Sequence, residues 1–107
     1  MYIIVDGDGT NAELNVKGQV TVNDNGYDGI YTFLDSNANL EINVESGATL
    51  KSCGNGRYDI GGIVLAGAEV DFLGTGYTCD QDRVSFFVFG PGAGNVVPPT
   101  CQACPLA

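Results

Sequence analysis

The chain has 107 residues, with 13 acidic and 4 basic side chains, 16 Gly, 4 Cys, no His and no Trp; at 44% hydrophobic and 16% charged it suits one folded domain and is too apolar to be disordered. A formal net charge of −9 leaves no basic surface to neutralise phosphates, so nucleic acid and anionic membranes are not expected partners. Without histidine there is no Ser-His-Asp or Cys-His catalysis and no imidazole ligand, and the chain is not expected to be an enzyme.

Tyr2-Ile3-Ile4-Val5 reads as a short strand. It lacks the basic start and the length of a secretion signal, and no apolar run approaches the roughly 20 residues that span a bilayer. Asp6-Gly7-Asp8-Gly9-Thr10 follows, with the spaced oxygens of a calcium loop, Asp6 and Asp8 being the candidate ligands. Lys17 stands where an EF-hand needs Glu, and a plain turn explains the segment equally well.

An internal repeat begins next. Ala12-Glu13-Leu14-Asn15-Val16, Leu40-Glu41-Ile42-Asn43-Val44 and Ala68-Glu69-Val70-Asp71-Phe72 share one alternating pattern at two offsets of 28 residues. Each reads as a half-buried strand, with Leu14/Val16, Ile42/Val44 and Val70/Phe72 inward and Glu and Asn/Asp outward. Gly18, Gly47 and Gly74 punctuate the copies, and Val20-Thr21-Val22, Thr49-Leu50-Lys51 and Gly76-Tyr77-Thr78 read as second strands. Polar loops follow: Asn23-Asp24-Asn25-Gly26, Gly54-Asn55-Gly56-Arg57 and Asp80-Gln81-Asp82-Arg83. Third strands are expected over 27–33, 63–65 and 84–89. Helix content should be low.

Three short strands per repeat with turns at the corners predict an all-β fold, a short parallel β-solenoid of about three and a half coils. The alternative is an antiparallel β-sandwich, which also uses short alternating strands but needs no fixed-offset repeat. The three copies resemble right-handed parallel β-helix proteins of the pectate-lyase-like and autotransporter-passenger kind, over residues 2 to 89. The solenoid domain is expected at 1–90. Gly90-Pro91-Gly92-Ala93-Gly94 and Val97-Pro98-Pro99-Thr100 open an extended tail, 91–107, that carries a CxxC.

All four cysteines are expected in disulfides. Cys53 and Cys79 each begin the loop after a second strand, so stacked coils would bring them within bonding range, and Cys53–Cys79 is the predicted pair. That bond would contribute about 3 kcal/mol in the chain-entropy model. Cys101 and Cys104 would then form a local or interchain bond, metal or redox chemistry being the lesser reading. Four cysteines in a small, Lys-poor chain suit an extracellular or cell-surface protein, the export signal having been removed.

The row Glu13, Glu41 and Glu69, with Asn15, Asn43 and Asp71 two places on, offers Ca²⁺ ligands, against the plainer reading of a solvated acidic face. The candidates for catalysis are Asp80, Asp82 and Arg83; the resemblance implies Asp clusters and an Arg base in enzymes acting on polysaccharides, whereas Arg83 more simply neutralises its neighbours. Tyr2, Tyr27, Tyr31, Tyr58 and Tyr77 are candidates for a sugar-stacking strip. Phe86-Phe87-Val88-Phe89 at one end, and Tyr2, Ile3, Ile4 and Val5 at the other, leave a stack of coils with apolar, uncapped ends. A structural, self-associating surface or matrix protein follows as the expected function, with itself as partner. The alternative is a Ca²⁺-dependent polysaccharide-binding module or a fragment of a polysaccharide-degrading β-helix enzyme.

Overall fold

A computed structural model describes residues 1–23, 26–89 and 94–105. Asp24 and Asn25 of the first loop, and Gly90-Pro91-Gly92-Ala93 of the expected tail, lie outside the described residues. The described chain is a parallel β-solenoid of about three turns. Its twelve strands are β1 (Tyr2–Val5), β2 (Asn11–Val16), β3 (Gln19–Asn23), β4 (Ile30–Leu34), β5 (Asn39–Val44), β6 (Thr49–Cys53), β7 (Ile60–Val64), β8 (Glu69–Gly74), β9 (Tyr77–Thr78), β10 (Val84–Val88), β11 (Asn95–Val97) and β12 (Cys101–Gln102). A single 3-10 turn, Gln81–Arg83, precedes β10. Every third strand stacks: sheet A runs β1-β4-β7-β10, sheet B β11-β8-β5-β2 and sheet C β12-β9-β6-β3. All pairings are parallel, so the sandwich alternative fails. Among the described residues no helix is long and apolar enough to cross a membrane.

Alternation along each strand sends one set of side chains inward, where they form columns. Leu14, Ile42 and Phe72 make one, Ala12, Leu40, Val70 and Val96 another, and Val5, Leu34, Val64 and Val88 a third. Ile30, Leu34, Ile42, Val64 and Val70 are fully buried, each burial contributing about 1.5–3 kcal/mol. The last coil is filled by aromatics, with Phe72 5.7 Å from Phe86 and 6.0 Å from Tyr77 between ring centres.

The corners repeat as well. Asp35–Ala38, Glu45–Ala48 and Leu65–Ala68 each close a four-residue turn from the last N–H to the first carbonyl, at 3.0, 2.9 and 3.0 Å. The third residue is left-handed each time, Asn37 (φ 58°), Gly47 (83°) and Gly67 (73°), which is why Gly or Asn stands there. The alanine that follows is buried in all three.

Three expectations change. Leu14 does stack on Ile42, but Ile42 stacks on Phe72 and Leu40 on Val70, so the second offset is 30 residues rather than 28. A slip of two keeps every side chain on its own face, which is why the alternating pattern concealed it. The segment after residue 90 is no free tail: β11 extends sheet B and β12 extends sheet C. Lastly, Cys53 does not bond to Cys79. The β6–β9 register sets Leu50 on Tyr77 and Lys51 on Thr78, so Cys79 falls beside Ser52, one step short of Cys53 and on the opposite side of the strand. The disulfides are Cys53–Cys104 and Cys79–Cys101, with Cα separations of 6.0 and 5.3 Å, and the CxxC makes no local bond.

Candidate functional site

The outward residues of sheet A form two files that run from coil to coil. Tyr2, Tyr31, Gly61 and Ser85 make the first; Ile4, Phe33, Ile63 and Phe87 make the second. Tyr2 and Tyr31 are ring neighbours at 5.1 Å. At the third place, glycine leaves the sheet bare and the Tyr58 side chain covers it: a Cβ on Gly61 would lie 3.3 Å from the Tyr58 ring. Phe87 and Phe89 close the far end with ring centres 4.3 Å apart. Such a file is held open to solvent by the sheet, since pleating fixes its side chains outward.

Arg57 crosses this face from the loop before β7. Its Nε and Nη2 donate to Asp28 Oδ1 and Oδ2 at 3.1 and 2.7 Å, and its guanidinium lies 5.4 Å from the Tyr58 ring centre and 6.0 Å from that of Tyr27. Asp28 also accepts from the Tyr58 backbone N–H and is buried beneath the guanidinium. The Arg57 hydrogen bond holds the Asp28 carboxyl below its usual range and raises Arg57 in return. Burial, with the Tyr2 hydroxyl nearby, raises Tyr31. Two depressions flank the arginine. One, of about 450 Å³, is bordered by Tyr2, Tyr27, Asp28 and Tyr31; the other, of about 260 Å³, by Tyr58, Ile63, Phe87 and Phe89; both reach Tyr31 and Arg57.

Four of the five tyrosines of the expected strip thus gather around one arginine. The fifth does not: Tyr77 points inward, 2% exposed, and donates to the Leu73 carbonyl at 2.7 Å. Burial pushes its hydroxyl up to about 12.

The acidic row lies on another face, outside sheet B, and its membership differs from that expected. Glu13 pairs with Glu41 and Glu41 with Asp71, while Glu69 stands over Asn39 and Asn11. Asp71 and Glu69 meet as carboxyls, which raises Glu69, and Asp71 Oδ1 is buried without a donor among the described residues. Asn15 donates to Glu13 at 2.8 Å. Asp6 and Asp8 sit apart from this row, in a corner turn stacked on the next one: Asp35 accepts from the Gly7 and Ser36 N–H groups, and Asn37 donates to Asp8 at 2.8 Å. Among the described residues neither group brings three carboxylates within 4.8 Å of one another; Asp59, Asp80 and Cys104 come that close, but Cys104 is spent in a disulfide.

Asp80, Asp82 and Arg83 separate in the fold. Asp80 accepts from the Cys104 N–H at 3.2 Å, Asp82 is exposed, and Arg83 turns away from both, to the Asn55 carbonyl and, at 3.9 Å, to Asp59. The expected neutralisation of Asp80 and Asp82 by Arg83 is therefore replaced by an internal pair.

Asp59 is the residue that reading the sequence missed. Fully buried, it accepts from Asn55 Nδ2 and the Asp80 N–H at 3.0 Å each, while its carbonyl accepts from Ser52 Oγ at 2.6 Å and from the Ile30 N–H. It ties three coils together at one corner. Its trace in the sequence is the acceptor-rich pair Asn55 and Asp59 set among glycines.

The first and last strands complete the picture. β1 and β10 are the edges of sheet A. Of the residues expected to mediate association, Tyr2, Ile4, Phe87, Val88 and Phe89 are exposed, Ile3 and Phe86 half-buried, and Val5 buried.

These features define a disulfide-linked parallel β-solenoid with an aromatic outer face. Comparison with protein-family models, with curated proteins and with solved structures found no match.

Proposed function

We propose that this chain is a structural solenoid that associates end to end with further copies of itself, at a cell surface or in an extracellular matrix. One observation carries the reading. Inward side chains in the middle coils are fully buried, yet in the outer coils, where Val5 and Val16 are closed off, most of their counterparts stay half open: Ile3, Leu14, Val20 and Val22 at one end, Val84, Phe86 and Val96 at the other. The same coils present strand edges that, among the described residues, pair with a strand on one side alone. A further coil laid on either end would bury the open apolar side chains and pair those edges in the parallel geometry the fold already uses. Two disulfides suit an oxidising compartment.

Light scattering across a concentration series, with and without Ca²⁺, tests the proposal. Mass growing with concentration is expected, together with its loss in Leu14→Lys and Phe86→Lys, which place a charge on each open end. A strictly monomeric species at the highest concentration would sink it.

A further inference from the structure

We propose that the outer face of sheet A binds an uncharged polysaccharide chain, with Tyr2, Tyr27, Tyr31 and Tyr58 as stacking platforms around Arg57. The two depressions lie on either side of Tyr31 and Arg57, one reaching Tyr2 on β1 and the other Phe87 on β10, so that together they follow the stack of coils. Their floor is the Tyr2–Tyr31 file where Gly61 contributes no side chain. Tyr2 and Tyr31, on neighbouring strands, hold their ring centres 5.1 Å apart, a spacing close to one sugar unit of an extended chain.

Charge selects the class of ligand. On a protein of net charge −9, the charged side chains bordering these depressions are Asp28 and Arg57, and they cancel each other in a two-point pair. A phosphate or uronate therefore finds no uncompensated cationic side chain, the Met1 ammonium at the rim being turned to the Gly29 carbonyl at 2.6 Å, and a basic partner finds no free carboxylate. What this surface does offer is aromatic faces and fixed donors. Tyr27 is 76% and Tyr2 65% exposed, amphipathic rings able to meet the apolar face of a sugar while their hydroxyls stay wet. Arg57 commits two of its five N–H groups to Asp28 and, with its side chain half exposed beside the Tyr27 and Tyr58 rings, leaves the others open to a ligand. Hydroxyl groups are the acceptors that match an arginine already neutralised.

Native electrophoresis in gels containing hydroxyethyl cellulose, laminarin or galactomannan tests this, with polygalacturonate as the charged comparison. Retardation by at least one uncharged polymer is expected. Tyr27→Ala and Tyr2→Ala, both surface changes, should weaken it about tenfold or more, as loss of an aromatic contact predicts; Lys17→Ala, elsewhere on the surface, should leave it unchanged. No retardation by an uncharged polymer, retardation by polygalacturonate alone, or full retention in folded Tyr27→Ala would each overturn the proposal. So would a dimer by light scattering that reverts to monomer in Tyr27→Ala without glycan binding, which would assign this surface to a second copy. Tyr2 lies on the open first coil and so belongs to both readings, whereas Tyr27, in the loop before β4, lies off the strand edges; the Tyr27→Ala arm therefore separates this proposal from end-to-end association, which Leu14→Lys and Phe86→Lys test.

Discussion

Cys53 is joined to Cys104 across 51 positions of the chain, with the Cα atoms 6.0 Å apart. With Cys79–Cys101, this bond fastens the segment that carries β11 and β12, whose pairings with β8 and β9 extend over three and two residues. Strands so short hold poorly by hydrogen bonds alone. Replacing Cys53 and Cys104 by Ser should lower stability by about 4 kcal/mol, and replacing Cys79 and Cys101 by about 3, from the loops released. Urea denaturation reads both, and amide exchange on reduction should open β12 before the middle coils. Unchanged midpoints in both variants would show that the segment holds without its bonds.

Asp59, fully buried, accepts from Asn55 and Asp80 and faces Arg83, whose side chain reaches solvent. Asp59→Ala strands those donors and should cost about 3 kcal/mol. Asp59→Asn should also destabilise, since an amide sets a donor against donors. A thermal melt of Asp59→Asn matching the parent would refute this account of the corner.

Carboxyls on this protein have opposite pH signs. Asp28 and Asp35 are held below their usual range, Asp28 chiefly by the Arg57 side chain and Asp35 by the Ser36 and Gly7 N–H groups. Each binds a proton less readily folded than unfolded, so its contribution is present above the unfolded value of about 4 and is lost as pH falls through the folded one. Glu69 is raised by Asp71, so its charge opposes folding at neutral pH and stability is regained as pH falls through its folded value. Glu69→Gln should therefore raise the melting temperature at pH 7, and the gap should close below about pH 4. A gap that persists in acid would place the repulsion elsewhere.

Burial grades the cost of truncation along one column. Ile42→Ala, in a filled coil, should cost about 3–4 kcal/mol, whereas Leu14→Ala, half open at the end, should cost about 1–2. Under conditions of end-to-end association the Leu14 penalty should grow towards that of Ile42. Equal costs in dilute monomer would mean that the first coil is covered in some other way.

The coil itself was legible because period-two alternation recurring at a near-constant offset has few other physical uses: Leu14 and Ile42 had to share a side, and they do. A finer signal lay unread in Asn37-Ala38, Gly47-Ala48 and Gly67-Ala68, left-handed corners each followed by a buried alanine, which give the 30-residue step from 37 to 67 directly. Alternation alone determines a face and is blind to a slip of two, so it could place Glu69 outside but not beside Glu41 or Asp71. The cysteine partners, the buried Asp59 and the gathering of four tyrosines on Arg57 were decided by tertiary structure alone. Each depends on loop lengths that vary from coil to coil, and a change of one residue in a loop turns a side chain to the other side of its strand, as it did for Cys53 relative to Cys79, although both are buried.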